Sequence, residues 1–328
     1  METQDRAELC FPQLSNTSCK KPAYSLSELL FFNITLSFIS VITVTLNLLV
    51  IISVSHYRQL HTPTNILILS LAVSDFLVGL LIMPSHIIRN TGCWFLGDFM
   101  CFLFNYATYI ITSSSIADMV LISIDRYVAI CDPLHYQTRV TKSRVKVCVC
   151  LCWLCSVLYN ILLVKDDLSE PGSHNSCYGE CVLVVDYITG TVDLIVTFLA
   201  PVSVIVVLYM KVFVVAVSQA RAMRSHVTEI KLQLSVTQTK KSELKAARNL
   251  GVLVVVFLIC FIPYYCVSLV KADLLKSSTA SLVYSLLYFN STLNPVIYTL
   301  FYPWFRKAVK FIVTLQILQP GSCQDKIL

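Results

Sequence analysis

The sequence predicts an all-α membrane protein: a seven-transmembrane helix bundle with a short amphipathic eighth helix. Three observations lead there. The 328 residues are 56% hydrophobic and 13% charged, against about 25% charge in a soluble chain. Seven apolar runs lie near residues 28–54, 64–87, 98–125, 146–164, 188–214, 249–270 and 280–301, each close to the ~20 residues that cross a bilayer as a helix. And 18 of the 25 Lys and Arg residues fall on one side of these runs, the asymmetry that marks the cytoplasmic face. The runs lack the roughly ten-residue alternation of membrane barrel strands.

The elements follow in order. Residues 1–27 form an outer N-terminal segment. No short apolar segment with a cleavage site precedes the first run, which is expected to act as the anchor. Asn16-Thr17-Ser18 is a glycosylation acceptor on the outer side; Asn33-Ile34-Thr35 and Asn290-Ser291-Thr292 match the pattern inside spans and are discounted. The spanning domain is 28–302. Its first run holds Asn47, its second Asp75 in LAVSDFLVG, and its third Ser115 and Asp118 before ending at Ile124-Asp125-Arg126-Tyr127. The fourth run carries Cys148, Cys150, Cys152 and Cys155, which in lipid behave as small apolar side chains; no transition metal is expected. The fifth, GTVDLIVTFLAP at 190–201, is apolar except for Asp193. A polar, basic connector near 215–247 leads to the sixth run, and the seventh contains NPVIY. Residues 303–328 form an amphipathic stretch lying on the membrane and a short tail.

The basic residues put the N-terminus outside and the C-terminus inside. The net charge of +6 is therefore a topology signal. It suits anionic membrane lipid or a cytoplasmic partner and no nucleic acid. Six of the 14 cysteines are outside: Cys10, Cys19, Cys93, Cys101, Cys177 and Cys181. They suffice for three disulfides in an oxidising compartment, with the pairing open.

An ionisable group at the bilayer centre costs roughly 2.5–3.5 kcal/mol and faces the bundle interior. Asp75, Asp118, Asp125 with Arg126, and Asp193 are such groups, and no Lys or Arg lies deep in a span to neutralise Asp193. Asp75 with Asn47, Ser115, Asn290, Ser291 and Asn294 offers hard oxygen ligands for sodium; the alternative is a hydrogen-bonded polar network with water. Asp125 can pair with Arg126, and Glu243 is a second carboxylate within reach. A released Arg would be a bistable element; the plainer reading is an arginine snorkelling at the membrane edge. Nothing points to an enzyme: there are no paired catalytic carboxylates, no Ser-His-Asp candidate at depth and no phosphate-cradling glycine loop. A transporter would show internal repeats, and none is visible.

One motif stands in each span: LNLLV with Asn47, LAVSD with Asp75, IDRY, Trp153, Pro201, CFIPYY with Pro263, and NPVIY from Asn294 to Tyr298. In that order they resemble a rhodopsin-like G-protein-coupled receptor over almost the whole chain. NSTLNPVIYTLFYPWF at 290–305 is similar to the seventh-span pattern of trace amine-associated receptors, as are HTPTN, CDPLHY, ELKAARNLG, and SCK near Cys19 with CYGEC at 177–181. The resemblance implies a Cys101–Cys181 bridge. It also implies an N-terminal tether to Cys177, from Cys19 or alternatively Cys10, with Cys93 taking the remaining N-terminal cysteine.

The chain departs from that pattern where the ligand would sit. The third-span Asp of amine receptors, 18 residues before the motif arginine, is Thr108. The sixth-span Trp is Phe261, the Gly before Asn47 is Leu46, and Asp118 stands where a neutral residue or His is expected. In some fish members of the subfamily an Asp placed like Asp193 takes over the ammonium. Physics agrees, since a buried carboxylate needs a cation, a proton or water. The expected pocket comprises Asp193, Thr108, Tyr109, Thr112, Tyr264, Tyr265 and Tyr288, with Tyr288 bonding Thr108 or the ligand. Asp186, seven residues before Asp193, would lie on the same helix face about 10.5 Å away along the axis. It would hold the far end of a diamine, or stay a solvated residue at the helix mouth.

The resemblance thus implies a plasma-membrane receptor for protonated amines, including trace or olfactory amines in olfactory cilia. Its partner is a heterotrimeric G protein of the Gs/Golf type that raises cAMP. Asp125, Arg126, Tyr127, Glu243 and Tyr298 would form the switch, and Asp75, Ser115, Asn290 and Asn294 would hold an allosteric sodium ion. The alternative is a receptor of the same class for a non-amine ligand, with Asp193 protonated.

Overall fold

The structure, a computed structural model, describes residues 9–14, 16–20, 26–90, 92–169, 172, 175–183, 185–226, 251–267 and 278–324. It is an all-helical bundle. Five helices are long and apolar enough to cross a membrane: Leu29–His56, Pro63–Arg89, Asp98–Cys131, Lys142–Leu163 and Tyr187–Val215. The shorter apolar helix Gly251–Val267 and the helix Ser278–Phe301 complete it as spans six and seven. Helix Pro303–Val313 follows and buries Trp304, Phe305 and Ala308, leaving its basic residues outward. It is the expected amphipathic eighth helix.

The distribution of side chains is the reverse of a soluble protein's. Phe31, Leu162 and Phe213 are exposed on the outer surface, while Asn47, Ser74, Asp75, Ser114, Asp118 and Asn160 are fully buried. A bilayer solvates the first set and would penalise the second, so the polar groups must find partners inside.

Prolines shape the spans. A proline lacks an N–H and crowds the carbonyl four residues back. Span two widens into a π-helical turn at Val78–Ile82, just before Pro84, and span five does so at Leu194–Leu199, just before Pro201. In each turn the closing amide reaches five residues back, Met83 N–H to Val78 O and Ala200 N–H to Ile195 O. In span seven the carbonyl orphaned by Pro295 is that of Ser291, and the Asn47 side-chain amide donates to it at 3.0 Å. Asn47 of LNLLV and Pro295 of NPVIY are therefore two halves of one contact. Gly79, in the span-two π turn, lets spans one and two touch: a Cβ there would lie 3.0 Å from Val44 and 3.1 Å from Thr43. The Gly79 carbonyl accepts from Ser40 at 2.7 Å.

At the end of the bundle that carries the N-terminal segment, three disulfides tie that segment and the loops together: Cys10–Cys93, Cys19–Cys177 and Cys101–Cys181. Between them, Cys19 N–H donates to Tyr178 O at 3.0 Å, Tyr178 N–H to Thr17 O at 2.7 Å, and Trp94 N–H to Gly179 O at 2.8 Å. Gly179 has φ +103°, and a Cβ there would meet Phe11 and Cys10, which is why CYGEC needs its glycine. Asn16 is exposed on this knot.

Candidate functional site

Asp193 is the last residue of helix Tyr187–Asp193 and immediately precedes the π turn. π turns inside α-helices are frequent at functional sites because they re-aim the side chains around them. The carboxylate is half-buried. Among the described residues the Tyr159 hydroxyl of span four donates to its Oδ1 at 3.3 Å, and no basic residue forms an ion pair with it.

From Asp193 a row of rings crosses the mouth of the bundle. Phe198 stacks on Tyr265 with centroids 3.8 Å apart. Tyr265 meets Tyr264 at 5.1 Å, Tyr264 meets Tyr284 at 5.6 Å, and Tyr284 meets Tyr288 at 6.3 Å. The row ends on His86 of span two, 4.8 Å from Tyr284 and 5.5 Å from Tyr288. The Tyr288 hydroxyl is hydrogen-bonded to His86 Nδ1 at 3.3 Å. Thr108, expected as its partner, instead donates to the Phe104 carbonyl of its own helix at 2.7 Å. Thr112 and Tyr109 are half-buried on the same helix. Of the expected pocket residues, Tyr264, Tyr265 and Tyr288 belong to this row of rings, while Thr108, Tyr109 and Thr112 lie half-buried along span three.

Asp186 is exposed, and its backbone is extended, not helical. Its carboxylate caps span five by accepting from Thr189 N–H at 2.9 Å. That hydrogen bond holds its carboxyl below the ordinary carboxylate range, so it is ionised at neutral pH and committed to the helix end. The straight-helix estimate placing it in line with Asp193 does not describe this geometry.

The polar core lies deeper. Asp75 Oδ2 accepts from Asn294 Nδ2 at 2.8 Å. Among the described residues, Asp75 Oδ1, Asn47 Oδ1, Ser114 Oγ, Asn290 Oδ1 and Asn294 Oδ1 are buried oxygens without a hydrogen-bond partner, the ligand type that suits a small hard cation. Ser115 is buried on span three. Asp118 has a separate account: its Oδ2 accepts from Ser70 at 2.8 Å, and Ser70 Oγ accepts from Trp153 Nε1 at 3.0 Å. Spans two, three and four meet at that chain of bonds.

At the end of the bundle opposite the disulfides, Arg126 forms an ion pair with Asp125 and donates to Thr64 Oγ1 at 2.5 Å. Thr64 donates to Asp125 Oδ2 at 2.9 Å, and Tyr136, on helix Pro133–Arg139, donates to Asp125 Oδ1 at 2.8 Å. Tyr127 lies beneath Lys211, whose Nζ is 5.8 Å from the ring centroid. Tyr298 is buried with its ring 6.0 Å from Tyr302. Glu243 lies outside the described residues.

Sequence reasoning missed Tyr159, His86, Tyr284, Thr64 and Tyr136. His86 had a signal, since a titratable ring inside a span is singled out by its insertion cost. The others are ordinary span or loop residues until the helices pack.

A family model described as the seven-transmembrane receptor of the rhodopsin family matches residues 46–298. The chain is 38% identical to trace amine-associated receptor 13c of Danio rerio, covering 97% of this chain and 95% of that protein. It is 39% identical to receptor 7e of Mus musculus, covering 96% and 91%, and 37% identical to receptor 8a of Rattus norvegicus, covering 98% and 96%. The chain belongs to the trace amine-associated receptors. Membership in this rhodopsin-like family makes the receptor a multi-pass plasma-membrane protein and not an enzyme.

Proposed function

We propose that this receptor detects protonated amines, with Asp193 as the ammonium anchor. The observation that carries the reading is a half-buried carboxylate in an apolar span that accepts from the neutral Tyr159 phenol and has no ion pair among the described residues. A ligand ammonium supplies the missing cation, and charge-assisted hydrogen bonds in a low-dielectric site are strong. Tyr264, Tyr265 and Tyr288 add aromatic faces worth roughly 0.5–2 kcal/mol to a cation. Relatives named as trace amine-associated receptors along nearly the full chain support the same ligand class.

In this reading the N-terminus is extracellular, and the cytoplasmic partner is a heterotrimeric G protein of the Gs/Golf type that raises cAMP, with olfactory cilia as the site of action. Binding outside biases a two-state bundle. Arg126 leaves Asp125 and Thr64, and a cleft opens beside the basic inner face. Sodium held by Asp75, Ser115, Asn290 and Asn294 favours the closed state. Replacing potassium by sodium at constant ionic strength should lower agonist affinity in wild type and leave Asp75→Asn unmoved; equal curves would remove the ion from the scheme.

The deciding experiment is a cAMP response to a panel of amines in cells carrying wild type or Asp193→Asn at matched surface expression. Loss of the response by about a hundredfold or more in potency, the scale of a buried charge contact, is expected. A response that survives the substitution rules out Asp193 as anchor. A wild-type response confined to neutral compounds, and flat against pH, would establish the non-amine alternative with Asp193 protonated.

A further inference from the structure

Beyond helix Pro303–Val313 the chain turns back on the bundle. Leu315, with φ +58°, lies in the left-handed region, and Gln319-Pro320-Gly321-Ser322 makes a second reversal. Pro320 and Gly321, the latter at φ +86°, suit the two central positions of a tight turn, and Ser322 N–H closes it on Gln319 O at 3.2 Å. The returned segment Ser322–Gln324 lies against the loop Arg58–Leu60 that joins spans one and two. Its burial is the inverse of an apolar anchor. Leu315 and Leu318 are exposed, while Ser322 is only 5% exposed.

One hydroxyl sits at the centre of this contact. Ser322 Oγ donates to Ile317 O at 2.7 Å. That uses its single proton, so in its 2.9 Å contact with His56 Nε2 it accepts, and the imidazole carries a proton on Nε2. His56 is the last residue of span one. Gln59 Nε2 donates to Gln324 O at 3.3 Å. The tail is thus clasped to the first loop by two hydrogen bonds, and a third, inside the tail, sets the hydroxyl that receives one of them. A clasp of that size opens locally while the bundle stays folded.

We infer that Ser322 keys this clasp and is a phosphorylation site whose phosphate holds the clasp open. The inference rests on the reading of the C-terminus as cytoplasmic, where ATP and kinases are. Ser322 is the one serine after residue 302, and Asp325 follows three positions later in the sequence, a carboxylate of the kind that an acid-directed serine kinase reads by charge. In the opened segment Ser322 Oγ attacks the γ-phosphorus of ATP. The new O–P bond forms, the bond to ADP breaks, and the hydroxyl proton passes to the kinase's base. The product has no proton for Ile317 O. It carries about two negative charges, which a closed seat facing a carbonyl oxygen does not solvate. The clasp therefore gates the modification, and the modification keeps the clasp from closing again.

The test uses Cys323, a free thiol of intermediate burial beside Ser322, as the reporter. Full-length receptor in lipid nanodiscs is reacted with a maleimide, and a Cys323→Ser control identifies the Cys323 signal. His56→Ala should speed Cys323 labelling about three- to tenfold, the worth of one hydrogen bond, with Cys131 labelling unchanged so that general unfolding is excluded. The same variant should accept phosphate on Ser322 faster by a similar factor from an acid-directed serine kinase and radiolabelled ATP. Phosphorylated wild type should label about tenfold faster or more, and phosphatase should reverse the gain. Adding His56→Ala to Ser322→Ala should change labelling no further, because both remove one contact. Equal labelling in wild type and His56→Ala overturns the clasp. No phosphate on Ser322 in either form, or slower labelling once it is phosphorylated, as when the phosphate pairs with His56 and Arg58, overturns its role as the release. In intact cells a membrane-impermeant maleimide should reach Cys323 only after permeabilisation; labelling before it overturns the cytoplasmic reading and the kinase with it, while the nanodisc rates still decide the clasp.

Discussion

Asp193 and Tyr159 stand 34 positions apart and share a single hydrogen bond of 3.3 Å. That bond orients the carboxylate in a region where water is scarce, so its loss is felt at the ligand. A neutral hydrogen bond contributes about 0.5–1.5 kcal/mol net, and somewhat more when one partner is ionised. Tyr159→Phe should therefore weaken amine potency by about three- to thirtyfold at unchanged surface expression. Unchanged or improved potency in a dose–response measurement would show that Tyr159 does not position the anchor. Asp186 behaves differently because it is solvent-exposed and capped. The Thr189 amide lowers its pKa, so its stabilising contribution is complete above the ordinary carboxylate pKa and is lost only as pH falls through the lowered folded value. At neutral pH it is a fixed part of the helix end.

At the scale of the element, the fifth span is two α-helical stretches joined by a π turn, Leu194–Leu199, and the turn exists because Pro201 cannot donate to the Thr197 carbonyl. A π turn adds one residue to a turn, which rotates everything outward of it by about 100° relative to a continuous α-helix. Asp193 faces Tyr159 as a result. Pro201→Ala restores an N–H and lets the turn tighten, which swings the carboxylate off its partner. Amine potency should fall by about tenfold or more with receptor still at the surface, and aromatic residues below the turn should keep their packing. Wild-type potency in this variant would show that the turn is held by neighbouring spans and not by the proline. The seventh span shows the opposite solution to the same problem, since Asn47 fills the place of the missing donor.

Across the whole molecule, the two ends of the bundle hold charges in different states of completion. Towards the disulfide-bearing end, Asp193 has no ionic partner among the described residues. The inner end holds Arg126 against Asp125, with Thr64 and Tyr136 bracing the carboxylate. Burial, and then the Asp125 charge, push the Tyr136 phenol above its ordinary range, so it remains a donor across physiological pH. Thr64→Ala and Tyr136→Phe each remove about 1 kcal/mol from the closed arrangement, so each should raise agonist-independent cAMP about fivefold when the closed state dominates. Basal signal at the wild-type level in the double variant would separate this latch from the activity equilibrium. The outer knot of Cys10–Cys93, Cys19–Cys177 and Cys101–Cys181 fixes the rim against which any such motion is made.

Much of this was legible along the chain. Hydropathy determined the number and length of the spans because the bilayer penalises any unpaired backbone, and Lys and Arg placement determined which ends share a side. One motif per span pointed to the receptor family, and a lone carboxylate in an apolar run marked Asp193, because an uncompensated charge in lipid is too costly to be incidental. What the chain could not reveal is which groups meet across helices. Thr108 bonding its own helix, Tyr288 turning to His86, Asp118 joining Ser70 and Trp153, and Asp186 capping a helix end all depend on the rotation of each span about its axis. That rotation is set by local events, a proline that opens a π turn or a glycine that lets two helices touch. Their consequence, which side chains face one another, is fixed only when all the spans pack together.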